Sequence, residues 1–164
     1  MSEKKVALIT GASRGIGKSC AIELAKLGYI TIINYASNDA AANAVVEEIK
    51  NNGGTALALK CDVGDSEAVK AMVQKILDEY KRIDVLINNA GITKDGLIIR
   101  MTDEDWLKVI NTNLNSAFFV TKPVAKAMMK QRTGCIINMS SICGIYGNAG
   151  QTNYVASKAG LIGL

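Results

Sequence analysis

Apolar positions along this chain follow two rhythms that alternate from end to end. Short apolar runs at 5–10 (KVALIT), 29–35 (YITIINY), 55–63 (TALALKCDV), 83–91 (IDVLINNAG) and 135–141 (CIINMSS) read as five strands. Between them, apolar residues recur every three or four positions, as on a helix with one buried stripe. The spacing predicts a helix over 15–28 with Ile16, Cys20, Leu24 and Leu27 on its stripe, ended by Gly28. A second, over 39–52, carries Ala44, Val45 and Ile49 and stops at Gly53-Gly54. A third starts at Ser66 and carries Val69, Met72, Val73, Ile76 and Leu77. Thr102, with Asp105 three residues on, resembles a capping box ahead of a helix holding Trp106, a core candidate, and Ile110. A long helix is predicted from about 113 to 132, with Pro123 as a kink or a break and Met128 and Met129 as packing residues. A glycine-rich loop and a final helix from near Thr152 complete the pattern.

The strands are near-continuous apolar runs rather than alternating ones. That is the pattern of a parallel sheet covered by helices on both faces. The predicted fold is therefore α/β, a doubly wound, Rossmann-like parallel sheet with about five strands. No repeat, linker or low-complexity segment divides it, so residues 1–164 read as a single domain.

Composition narrows the chemistry. The chain has 164 residues, 49% of them hydrophobic, enough for one real core. It lacks an apolar run of about 18 residues, so no membrane span is expected, and its first residues do not read as a signal peptide. The net charge is +4, with lysines and arginines scattered and no block of like charge, which argues against nucleic-acid binding. Four cysteines show no C-x-x-C pairing and are expected as reduced thiols in a cytoplasmic protein. The absence of histidine excludes His-based triads and His-ligated metals.

Between the first strand and first helix stands TGASRGIG, residues 10–17. Gly11, Gly15 and Gly17 allow a tight turn and close backbone approach, and a helix N-terminus presents free N–H groups to a pyrophosphate. The motif reads as a nucleotide site in this strand–turn–helix context; alone it would equally be a plain turn. At the end of the second strand an acid would hold the ribose 2′-OH of NAD, but the residues are Asn34, Tyr35, Ala36 and Ser37, with Asp39 a few positions past. Arg14 in the glycine turn either faces a 2′-phosphate or is solvated. The asymmetry favours NADP(H).

Near the end, NYVASKAGLIGL places Tyr154 and Lys158 four apart, on one face of a helix. A free phenol releases its proton near pH 10, and a neighbouring ammonium favours that release.

Four segments in order now resemble the short-chain dehydrogenase/reductase family: TGASRGIG, NNAG (88–91), the Ser140-Ser141 pair and YVASK (154–158). Within it, GITKDGLIIRM (91–101) and the ending GNAGQTNYVASKAGLIGL are most similar to the β-ketoacyl-acyl-carrier-protein reductases of fatty-acid synthesis. The resemblance implies NADPH-dependent reduction of a 3-oxoacyl group on an acyl carrier protein. Tyr154 is then the general acid and touches substrate and cofactor. Lys158 binds the nicotinamide ribose and favours proton release from the tyrosine, and Ser141 hydrogen-bonds the substrate oxygen. Asn113 supports a water linking Lys158 to solvent. For the cofactor it implies Gly11, Ser13, Arg14, Gly15, Ile16 and Gly17 at the glycine turn, Asp62 and Val63 at the adenine, and Asn89, Ala90 and Gly91 along the ribose. No metal is implied. On the residues alone, Ser141 is equally a loop hydroxyl, Asn113 a helix cap, and Asn88 and Asn89 turn residues. The resemblance also implies a tetramer, and an acidic carrier docking at Lys130 and Arg132, where a solvated helix end is the plain alternative.

The family's chain continues past LIGL, through further strands and a loop closing over the substrate. The chain is thus expected to be C-terminally incomplete, with the fifth strand an exposed apolar edge and turnover weak or missing. The competing reading is a catalytically silent cofactor-binding or self-association module.

Overall fold

The computed structural model describes residues 4–164. Five strands form one parallel sheet in the order β3-β2-β1-β4-β5: β1 (Val6–Ile9), β2 (Ile30–Tyr35), β3 (Thr55–Lys60), β4 (Val85–Asn88) and β5 (Cys135–Asn138). In register, Leu8 of β1 lies between Ile32 of β2 and Leu86 of β4. The chain runs outward from β1 to β3, then crosses back to β4 and β5. The direction of winding therefore reverses between β1 and β4, and a crevice opens at the strands' C-terminal ends there.

Successive strand residues point to opposite faces, which splits the core in two. Ala7, Ile9 and Ile33 pack under α1 (Gly15–Lys26) and α2 (Asp39–Asn51). Val6, Leu8, Ile32 and Leu86 pack under α3 (Ser66–Tyr80) and α5 (Ser116–Gln131). The doubly wound expectation holds. Local sequence starts the helices cleanly: the Asn38 side chain accepts the Ala41 N–H, Asp65 accepts those of Glu67 and Ala68, and Thr102 accepts that of Asp105 ahead of α4 (Asp103–Ile110).

The expected stripe of α1 shifts by one position, and single positions differ elsewhere. α1 buries Gly17, Ala21 and Ala25 and leaves Ile16 and Leu27 exposed, because small residues let the helix lie close on the sheet. In α2 the buried set is Ala42, Val45, Val46 and Ile49, and Ala44 faces solvent. Trp106 is not core: it is 36% exposed, and Val109 is the residue α4 buries. Met128 packs inside, whereas Met129 is exposed. The long helix does not begin at 113. A π-turn, Asn111–Asn115, fuses α4 to α5, so Asn113 is inside a continuous helical path and is not a cap. That path continues through Pro123. The glycine-rich loop holds a short helix, α6 (Cys143–Tyr146), before α7 (Thr152–Gly163). β5 is an edge strand with Ile137 42% exposed, as its pattern suggests.

Candidate active site

The crevice is built first by backbone turns that side-chain amides and a hydroxyl lock together. Gly11 turns with φ +61°, and a Cβ there would lie 2.9 Å from the Ala90 Cα. Glycine is required for both reasons, conformation and approach. Thr10 Oγ1 accepts the N–H groups of Asn89 and Ala90, each at 3.0 Å. Asn89 returns the tie by donating Nδ2 to the carbonyls of Thr10 (2.8 Å) and Gly11 (3.1 Å). Asn34 joins the third strand end: its Oδ1 accepts the Gly11 N–H at 3.3 Å, and its Nδ2 donates to the Cys61 carbonyl at 3.0 Å. Thus the ends of β1, β2, β3 and β4 are fixed relative to one another.

Two connected clefts lie on this floor. The first, about 550 Å³, runs past Gly11, Ser13, Arg14, Gly15 and Ile16 to Tyr35, Asp62 and Val63, with Asn89, Ala90 and Gly91 on its other wall. Arg14 opens α1 with extended backbone and no side-chain cap, and the first turn holds no acid. The helix therefore presents bare N–H groups and a positive dipole end beside the cleft. Gly17 does not line it. It is buried instead against the turn, where a Cβ would come 2.5 Å from Asn89 Nδ2. Asp62 folds back on itself, Oδ1 accepting the Gly64 N–H at 2.9 Å.

The second cleft, about 460 Å³, shares Arg14, Ile16, Asn89, Gly91 and Ile92 with the first and ends at Met139, Ser140, Tyr154 and Lys158. Tyr154 and Lys158 share one face of α7, with the lysine Nζ 5.7 Å from the centre of the tyrosine ring. Lys158 is 5% exposed and donates to the Met139 carbonyl at 2.5 Å. Burial holds its pKa below the usual lysine value, since the charged form loses hydration.

Close packing puts α7 there. A Cβ on Gly144 would lie 2.8 Å from the Lys158 carbonyl carbon, and one on Gly160 would lie 2.6 Å from a Leu114 methyl. Buried Asn153 accepts the Tyr154 N–H at 2.7 Å and donates to the Lys94 and Asp105 carbonyls. Asn113 is 1% exposed and fully engaged with protein: Oδ1 accepts the Ile92 N–H at 2.8 Å, and Nδ2 donates to the Ile92 carbonyl and to Ser157 Oγ, both at 3.0 Å. Ser157 Oγ in turn donates to the Tyr154 carbonyl. Asn113 thus ties the π-turn to the cleft wall and to α7 without lining the cleft itself.

Of the serine pair, Ser140 lines the cleft and donates to the Lys158 carbonyl at 2.7 Å. Ser141 stands one residue beyond, its Oγ accepting the Cys143 N–H at 3.3 Å. Lys130 borders a separate groove between α3 and α5, and Arg132 follows α5 in left-handed conformation, φ +56°. Sequence reasoning missed Thr10, Asn34, Asn153 and Ser157 as organisers of the site. All four border residues that were singled out, but nothing in a linear pattern tells a buried polar tie from a surface one.

A family model described as short chain dehydrogenase matches residues 5–164. The chain belongs to the short-chain dehydrogenase family. Among curated members, it is 52% identical over 159 residues to a 3-oxoacyl-[acyl-carrier-protein] reductase of Synechocystis sp., covering 97% of this chain and 64% of that protein. It is 49% identical to the 3-oxoacyl-[acyl-carrier-protein] reductase FabG of Staphylococcus aureus, over 100% of this chain and 67% of that one. For the Thermotoga maritima FabG the figures are 48%, 99% and 65%. The chain thus spans about two thirds of the length of these short-chain dehydrogenase relatives. A metagenomic short-chain oxidoreductase solved in complex with NADP superposes with a TM-score of 0.93 at 38% identity, over 97% of this chain and 72% of that one.

Proposed function

We propose that this chain serves the NADPH-dependent reduction of 3-oxoacyl-[acyl-carrier-protein] to the 3-hydroxyacyl product. The observation that carries the reading is the pairing of Tyr154 with buried Lys158 at the end of a cleft continuous with the glycine turn. The names of the similar reductases support the substrate, and the NADP complex of the similar oxidoreductase supports the cofactor.

The residues fit a dinucleotide. The tight backbone at Gly11, the uncapped start of α1 and Arg14 suit phosphates, and Asp62 and Val63 stand at the far, adenine end. When bound, NADPH supplies the hydride for the substrate's C3 carbonyl carbon. Tyr154 donates its phenolic proton to the carbonyl oxygen. The ammonium form of Lys158 favours negative charge on the phenol as that proton leaves, and its remaining donors face the cleft for a ribose hydroxyl. Ser141 Oγ accepts from the Cys143 N–H and keeps its own O–H to donate to the substrate oxygen, and Ser140 holds the backbone of Lys158. Asn113 orders the wall at Ile92 and the start of α7. The same reading takes residues 1–164 as one NADP-binding unit of a cytoplasmic protein. It includes an acidic carrier at Lys130 and Arg132 and self-association through α5 and α7, where Phe118 and Ile162 are exposed.

The test is to incubate the chain with NADPH and an acetoacetyl thioester and follow nicotinamide absorbance. Slow thioester-dependent oxidation, lost in Tyr154→Phe while NADPH still binds, is the result that supports the reading. NADPH binding with no turnover in the unsubstituted chain would overturn it in favour of a silent binding module.

A further inference from the structure

Beside the cleft stands a cluster that the reduction itself does not use. Tyr35 of β2 and Lys60 of β3 are register partners, so their side chains leave the sheet on the same side. Both reach Asp39, the first residue of α2. The Tyr35 hydroxyl donates to Asp39 Oδ1 at 2.7 Å, and Lys60 Nζ lies 3.1 Å from Oδ2. Tyr35 is 8% exposed and forms a fixed post, whereas Asp39 and Lys60 are about half exposed. The tyrosine hydrogen bond, and Lys60 after it, hold the Asp39 carboxyl below the usual aspartate range, so it is an anion with its own donors. Tyr35, Ala36, Ser37, Asn38 and Ala41 all line the cleft, and Asp39, in the middle of that stretch, does not.

This is the end of the second strand, where a dinucleotide fold places the adenosine ribose. A carboxylate free to reach the ribose there bonds the 2′-OH and repels a 2′-phosphate. We propose that Tyr35 and Lys60 are specificity-determining residues: they hold Asp39 away from the ribose and balance its charge. A cofactor with a 2′-phosphate is thereby admitted, and one with a bare 2′-OH gains no carboxylate partner. The inference rests on the NADPH reading above and extends it to side chains that the reduction itself does not use.

The experiment measures Kd for NADPH and for NADH with the full chain and with Lys60→Met, Tyr35→Phe, Asp39→Asn and the Asp39→Asn/Lys60→Met pair, circular dichroism confirming the fold of each. Lys60→Met and Tyr35→Phe are each expected to weaken NADPH about three- to tenfold without weakening NADH, the scale of one like charge near a surface phosphate. Asp39→Asn alone changes NADPH binding less than about twofold, yet it restores NADPH binding in the Lys60→Met background, a coupling that a double-mutant cycle reads directly. If Asp39→Asn has the same effect in both backgrounds, Lys60 acts as a bare positive charge and the proposal falls. If the unsubstituted chain does not prefer NADPH over NADH, the cofactor reading itself fails and takes this proposal with it. A preference that survives every substitution unchanged leaves the cofactor reading standing and overturns the cluster's role alone.

Discussion

Replacing Asp84 with alanine should destabilise the fold by about 2–4 kcal/mol at neutral pH. Asp84 precedes β4 and is 7% exposed. Its carboxylate accepts the Val6 N–H at 2.8 Å and two guanidinium bonds from Arg82, at 2.9 and 2.6 Å. Its backbone also donates to the Val6 carbonyl and accepts from Cys135, so one residue gathers the starts of β1, β4 and β5. Alanine would orphan a fully buried Val6 N–H, at about 1–3 kcal/mol. The Arg82 pairing adds less, since that side chain is 23% exposed and rehydrates; the discounted value is about 1 kcal/mol. Asp84→Asn keeps an acceptor for Val6 and should cost about half as much as alanine.

The pH dependence carries a sign. Burial pushes the Asp84 carboxyl up, but the Arg82 and Val6 hydrogen bonds outweigh it and hold the group below the usual aspartate value. A depressed carboxyl contributes stability above its unfolded pKa, about 3.9, and loses it as pH falls through the folded value. Urea denaturation should therefore show a constant gap between the unsubstituted and Asp84→Ala chains from pH 7 to about 5, narrowing below about 4. A gap under about 0.5 kcal/mol at pH 7, or one that persists undiminished to pH 3, would refute the reasoning.

Thr10→Val keeps the shape of the side chain but removes the acceptor of two N–H groups at the cleft floor. It should lower stability by about 2 kcal/mol and weaken NADPH about tenfold, with Thr10→Ser near the unsubstituted chain; equal titration curves for all three would count against the floor's role. Cys61 is buried, and desolvation followed by the charges of Asp62 and Asp65 pushes its thiol up to about 11. A disulfide reagent at pH 7.5 should label exposed Cys135 in the native chain and Cys61 after unfolding, and mass spectrometry showing equal native rates would contradict this.

Much of the architecture was legible along the chain. Continuous apolar runs marked all five strands, and Asn38, Asp65 and Thr102 each cap near where the pattern placed a helix start. Stripe positions were less legible. Hydropathy alone favours Ile16 over Ala21, yet close approach to a sheet selects the small residue. The π-turn was invisible for a related reason. Its extra residue per turn leaves no mark in apolar spacing, but it brings Asn113 into reach of Ile92 and Ser157.

The candidate site divides the same way. The i, i+4 spacing of Tyr154 and Lys158 and the glycine turn are local, so sequence determined them: helical periodicity and the steric freedom of glycine act on neighbouring residues. Tertiary structure decided that β1 and β4 lie side by side, that Asn89 locks onto Thr10, that Ser140 rather than Ser141 lines the cleft, and that Asp39 is claimed by Tyr35 and Lys60. Those contacts join residues far apart in the chain. They exist because hydrophobic burial first orders the strands, and a polar group can choose its partner only after that order is set.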